Sequence, residues 1–136
     1  MKLSTKSRYA VTALFDLATN ANGAPIQAKV ISKRQGISLN YLEQLLLKLR
    51  KAGIIKTVRG PAGGHYLAKE PAKISVGSVI RATDGPIKLA SCVSSRVHCT
   101  GGGCCSTRKL WHNLSEKVAL LFDQTTLADL CQKEQK

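Results

Sequence analysis

Between two glycines, Gly36 and Gly53, the chain sets Leu42, Leu45, Leu46 and Leu49 on one face of a helix. Asn40, Gln44, Lys48 and Lys51 fall on the opposite face, with Glu43 on the flank. A helix divided in this way buries one side and offers the other to solvent or to a polar partner. Ser38 is placed to cap its start, which predicts a helix over about 39–52. A shorter helix, about 26–35, precedes it and stops at Gly36, where a tight helix–helix turn calls for the left-handed conformation. After Gly53, Ile54–Val58 and His65–Ala68 predict a β-hairpin. Arg59-Gly60-Pro61-Ala62-Gly63-Gly64 form its long tip.

The flanks complete the pattern. Residues 5–20 form a first helix with Val11, Leu14, Phe15 and Ala18 at helical spacing, capped by Ser4 or Thr5 and ended by Asn22-Gly23-Ala24-Pro25. A short helix over 75–83 ends at Asp84-Gly85-Pro86, and a longer one runs from about 106 to 123. Thr126 with Asp129 caps one last turn near Cys131. Helix, short helix, turn, amphipathic helix, hairpin is the order of a winged helix-turn-helix. The expected fold class is therefore mainly α with a small β wing: a winged helix-turn-helix domain (1–83), a glycine-rich cysteine loop (84–105), and a dimerisation helix with a C-terminal turn (106–136). Helices one to four already supply a core. The stripe Leu110, Trp111, Leu114, Val118, Leu121 and Phe122 is then best buried against a second copy, with Leu114, Val118 and Leu121 at the seam. Burial within one subunit is the competing reading.

Charge narrows the partner. The chain carries a formal charge of +13. Residues 1–70 hold 12 Lys/Arg against 3 Asp/Glu, whereas 71–136 hold 9 against 5. The excess concentrates where the helix-turn-helix lies, which favours nucleic acid over a membrane or an acidic protein. No secretory signal is visible, because the early apolar stretch is interrupted by Asp16, and no apolar run approaches the roughly 20 residues that span a bilayer. A cytoplasmic protein with reduced thiols is expected, and its five cysteines then point to metal binding or redox sensing. Paired carboxylates, a Ser-His-Asp set and a nucleotide loop at a strand-to-helix junction are all missing, so no enzymatic activity and no small-molecule substrate are expected.

Several segments together carry a family resemblance. They are Tyr9-Ala10-Val11-Thr12-Ala13, the run from Gln35 through Ser38-Leu39-Asn40-Tyr41-Leu42-Glu43-Gln44 to Leu45, and the wing Val58-Arg59-Gly60-Pro61-Ala62-Gly63-Gly64. Val76-Gly77 with Val79-Ile80, and the cysteine loop leading into Leu110-Trp111, belong with them. Over nearly its whole length the chain resembles the IscR-type family of winged-helix regulators. The resemblance implies a homodimer on a double-stranded DNA operator. It implies that Asn40, Glu43 and Gln44 read major-groove edges, that Ser38 and Tyr41 position the helix, and that Arg59 reaches a minor groove. Lys48 and Lys51 are the expected phosphate contacts.

The resemblance also implies an iron–sulfur cluster on Cys92, Cys99 and Cys105, with a 2Fe–2S form preferred to 4Fe–4S. Trp111 sets the register: the third family cysteine lies six positions before it, which selects Cys105 over Cys104. Thiolates hold such clusters, and Arg96, Arg108 and Lys109 supply charge that favours the thiolate. Structural zinc prefers cysteine pairs two to four residues apart, unlike this spacing. The family's fourth ligand, a His three positions before the Trp or an acid on helix one of the partner, corresponds here to Arg108 or Arg8. Cys104, His98 and His112 are the side-chain candidates in this loop and helix, with water or a small thiol as the alternative. His65 is assigned to DNA or solvent, Trp111 to a core anchor and Cys131 to a partly buried structural role. The alternatives are a regulator without a cluster, responding to a metabolite or a partner protein, and an iron–sulfur or zinc carrier, which would need neither the wing nor the basic front half.

Overall fold

Burial of Leu42, Leu45, Leu46 and Leu49, each at most 2% exposed, fixes the rotation of the helix that carries them, α3 (Leu39–Lys51). The computed structural model describes residues 3–20, 23–90 and 106–134. Around α3 are gathered α1 (Thr5–Asn20), α2 (Ala28–Gln35), the strands β1 (Ile55–Val58) and β2 (Gly64–Leu67), a 3-10 turn at Pro71–Lys73, α4 (Val76–Asp84), α5 (Ser106–Gln124) and α6 (Leu127–Glu134). The mainly helical class with a two-stranded wing is as the sequence reads. β1 and β2 pair antiparallel in the register Ile55↔Leu67, Lys56↔Tyr66, Thr57↔His65 and Val58↔Gly64. The hairpin is shifted by one residue from the expected bounds, and Ala68 N–H closes on the Ile54 carbonyl below it.

The centre of the fold is α1. Its fully buried apolar residues are Ala10, Ala13, Leu14 and Leu17; of the expected stripe Leu14 is buried, while Val11, Phe15 and Ala18 are only half-buried. The reason is that α1 is enclosed by α2, α3, α4 and α6 and so buries a wide face. The core also takes in Leu127 of α6, beyond the four helices expected to supply it. Backbone bonds from Val76 to Thr125 and from Leu127 to Ile74 hold α6 in place, and the Thr126–Asp129 capping box forms as its residues suggest.

Asp16, read in the sequence as an interruption of an apolar run, is wholly buried. Arg34 donates to one carboxylate oxygen at 2.8 Å and Gln35 to the other at 2.9 Å. The last turn of α2 is thereby bolted to α1 immediately before Gly36, whose φ of 67° turns the chain into α3. At the other end of α1, Ser4 caps by accepting from Ser7 N–H at 3.2 Å, and Ser4 and Ser7 hydroxyls both donate to Asp84 of α4. An acid at this end also complements the helix dipole.

Arg81 of α4 grips Asp123 of α5 through both terminal nitrogens, at 2.6 and 2.9 Å. The hydrogen bonding holds the guanidinium above and the carboxyl below their usual ranges. Gly77 leaves room for this grip, since a Cβ there would overlap the Asp123 carboxylate.

Replacing Asp16 by Ala should lower the free energy of unfolding by about 2–3 kcal/mol, the loss of two bonds to a buried charge discounted for the half-exposed Arg34. An unchanged urea midpoint would show that the clamp contributes nothing.

Candidate nucleic-acid interface

Because the leucine face of α3 is buried, its opposite face is held outward. Asn40, Gln44 and Lys51 are exposed there together with Leu47, which is 42% exposed. Ser38 stands exposed at the N-cap position, but its side chain makes no capping bond, contrary to expectation. The Ser38 carbonyl accepts the first intrahelical bond, from Leu42 N–H at 2.9 Å. The Ser38 hydroxyl is thus left at the surface.

The two flanks of α3 differ. Tyr41 is half-buried and packs edge-on against Tyr9 of α1, with ring centres 5.8 Å apart. Lys48 lies on that same flank, where its ammonium approaches the Thr83 carbonyl in the last turn of α4 at 3.5 Å. It therefore stands apart from Asn40, Gln44 and Lys51. On the other flank Glu43 and Arg50 face the wing across a groove of about 320 Å3, also lined by Leu47, Thr57 and His65. Arg50 and Leu47 were not singled out in the sequence; the seven-residue step from Glu43 to Arg50 was the available signal.

His65, expected at DNA or in solvent, forms part of this groove instead. Its Nδ1 lies 3.0 Å from the Thr57 hydroxyl. Burial, then the nearby Arg50 charge, lowers its pKa, with Glu43 acting in the opposite direction. The ring is thereby shifted toward its neutral form.

The wing is tied down at its base. Ile26 and His65 exchange backbone hydrogen bonds of 2.9 and 2.8 Å, so the loop before α2 acts as a third strand one bridge long. Gln27 Nε2 donates to the Pro61 carbonyl at 3.2 Å and reaches the tip. Gly64, at φ 154°, makes this possible: a Cβ would come within 2.6 Å of the Ile26 carbonyl oxygen. Arg59 is exposed on the tip beside it.

The long helix leaves much of its apolar stripe uncovered. Leu110 is 49% exposed, Trp111 39% and Leu121 65%, while Leu114 and Val118 are half-buried. Trp111 is thus not the core anchor expected; the buried position on this helix is Ser115, 3% exposed. Its hydroxyl donates to the Trp111 carbonyl at 2.7 Å and accepts Leu89 N–H at 2.9 Å, fastening the chain before the cysteine segment to α5.

Cys92, His98, Cys99, Cys104 and Cys105 lie outside the described residues. His112 is exposed and directed toward Glu116, 3.1 Å away. Arg8 is exposed on α1, Arg108 is half-buried in the first turn of α5, and Cys131 is half-buried on α6. Among the described residues no three His, Cys, Asp or Glu side chains converge as a metal site, and no helix is long and apolar enough to cross a membrane.

An outward polar helix face beside an anchored wing defines a winged-helix DNA-binding protein of the regulator class. Comparison with known proteins gives the family: residues 3–133 match the model of Rrf2, described as an iron-dependent transcriptional regulator. The chain belongs to the Rrf2 family and is a DNA-binding transcription regulator. It is similar to a putative HTH-type transcriptional regulator of Haemophilus influenzae, 47% identical over 98% of this chain and 88% of the relative. The HTH-type transcriptional regulator IscR of Vibrio atlanticus is also 47% identical, over 96% of this chain and 75% of that protein. Among solved structures, CymR, the global cysteine regulator of B. subtilis, superposes with a TM-score of 0.81 at 35% identity, covering 98% of both chains. IscR of T. potens gives 0.80 at 39% identity, over 98% of this chain and 88% of that one. These relatives are regulators and not enzymes, in agreement with the sequence.

Changing Gly64 to Ala should cost about 2–4 kcal/mol, from the collision with the Ile26 backbone and an unfavourable φ. Amide exchange at Ile26 and His65 should accelerate in the variant. Wild-type protection at both amides would contradict the anchoring role.

Proposed function

We propose that the chain acts as a homodimer whose operator binding is modulated by an iron–sulfur cluster, in a 2Fe–2S form, held by Cys92, Cys99 and Cys105. The observation that carries this reading is the position of α5. It begins immediately after Cys105, runs on into the uncovered apolar stripe, and is gripped by α4 through Arg81 and Asp123. Lys48 in turn links α4 to α3. One helix therefore stands between the cysteines, the expected dimer seam and the DNA-facing helix.

Three thiolates are the donor type that such a cluster takes. A helix N-terminus favours a thiolate at the preceding residue, and Arg108 and Lys109 in the first turn add positive charge. Leu89 is fastened to Ser115, nine residues into α5 from Ser106, so the two ends of the cysteine segment are held roughly 14 Å apart along the helix. When bound, the cluster supplies a centre whose charge and ligation change with oxidation or loss of iron. Arg108 occupies the position of the family's histidine ligand and cannot serve. Cys104, His98 and His112 are the candidates for the fourth position, and His112 would have to leave Glu116 to take it.

For DNA, the reading assigns base contacts to Asn40, Glu43 and Gln44, positioning to Ser38 and Tyr41, backbone contacts to Lys48 and Lys51, and a minor-groove contact to Arg59. Exposure of Asn40, Gln44 and Lys51 on one face of α3 supports it. Against a duplex selected by the protein from a random pool, Gln44→Ala should cost ~1–3 kcal/mol and relax sequence preference. Arg59→Ala should weaken binding and lower its salt dependence by about one counterion. Wild-type affinity in both variants would show this docking to be wrong.

The dimer seam is assigned to Leu114, Val118 and Leu121, supported by the exposure of Leu121 and of Leu110, about three turns earlier on the helix. Leu114→Lys with Leu121→Lys should produce monomers by sedimentation, with much weaker binding to the two half-sites expected one helical turn apart. A double variant that remains dimeric places the seam elsewhere.

A further inference from the structure

Beside the end of α3, on the flank shared with Lys48, a cavity of about 430 Å3 opens between the foot of the wing and α4. It lies within the size range of small-molecule sites, roughly 300–1,000 Å3. Ala52, Lys69, Lys73, Ser75, Ser78 and Arg81 line it, the rest of the lining is aliphatic, and none of the lining residues is an acid. Ala52 follows Lys48 by one turn, which places the cavity on that flank of α3, whereas Asn40 and Gln44 do not line it.

The three cations are not equivalent. Arg81 is engaged by Asp123. Lys69 and Lys73 are exposed and, among the described residues, make no ion pair or side-chain hydrogen bond. Ser75 Oγ accepts Ser78 N–H at 3.1 Å and keeps its own proton to donate.

We propose that this cavity binds a compact multivalent oxyanion of the phosphoryl class, held by Lys69, Lys73 and the Ser75 hydroxyl. Charge selects the class. Two exposed ammonium groups, a free hydroxyl proton and a lining without an acid favour an anion over a neutral ligand, and a multivalent anion over a monocarboxylate, because each added charge can engage a second ammonium. Compact ammonium charges suit a phosphoryl group, which accepts from several directions at once. The bound anion competes with Asp123 for Arg81. Since that pair joins α4 to α5, occupancy alters how firmly α5 is held and gives the regulator a second input.

The test uses the full chain, labelled with 15N and titrated with inorganic pyrophosphate at constant ionic strength maintained with chloride. Saturable shifts are expected at the amides of Ala52, Ser75 and Ser78. The double variant Lys69→Gln, Lys73→Gln should keep the wild-type thermal midpoint and bind roughly tenfold or more weakly, as loss of charge-assisted hydrogen bonds requires. Asp123→Asn should bind more tightly, because the guanidinium loses its competitor. Shifts confined to Asn40, Gln44 and Arg59 would mean that pyrophosphate only mimics the DNA backbone and would overturn the proposal. So would a linear, non-saturating response, or a double variant that binds as wild type does.

Discussion

Four leucines on one face of α3 determine most of what the molecule can do, because a helix buried on one side has no freedom to rotate. Each of Leu42, Leu45, Leu46 and Leu49 lies at most 2% exposed, and full burial of one such side chain is worth about 1.5–3 kcal/mol. Turning the helix enough to hide Asn40 and Gln44 would expose at least part of that face. The polar side is therefore displayed by the energetics of the apolar side. Asp16 then sets where α3 begins: with Arg34 and Gln35 it fixes the end of α2, one residue before the left-handed turn at Gly36.

The wing is oriented by a separate and more local device. Backbone exchange between Ile26 and His65 binds the hairpin to the loop that enters α2, and Gly64 lets the two backbones approach. The groove between wing and helix, with Glu43, Arg50, Thr57 and His65, thus has walls set by two independent constraints. Burial, then the Arg50 charge, shifts its His65 ring toward the neutral form.

What was legible in the sequence follows from periodicity. The bounds of α1 and α3 could be read closely because apolar spacing, caps and glycines report on the helix itself. Partners across the core could not. Asp16 reads as a break in an apolar run until α2 is folded against it. Trp111 reads as a core residue because aromatics are commonly buried, yet on α5 the buried position belongs to Ser115, which fastens Leu89. Lys48 has the spacing of a surface lysine and is drawn aside by the Thr83 carbonyl. The groove residues Arg50 and His65 come from a helix and a strand whose juxtaposition no local pattern encodes. Gly77 was legible only as part of a family resemblance; its physical reason is the Asp123 carboxylate that occupies the space a side chain would need.

The proposed regulation requires coupling between the cysteine segment and the DNA-facing helix through α5 and α4. The most direct measurement is duplex affinity of one anaerobic preparation, taken alongside its visible spectrum and its iron and sulfide content, before and after removal of the iron. Coloured protein with matched iron and sulfide is expected, and its affinity should change when the iron is lost. Ser at Cys92, Cys99 or Cys105 should abolish the colour, while Cys104→Ser should retain it; loss of iron from Cys104→Ser would identify that residue as the fourth ligand. A colourless wild type, or affinity indifferent to the loss of iron, would contradict the account.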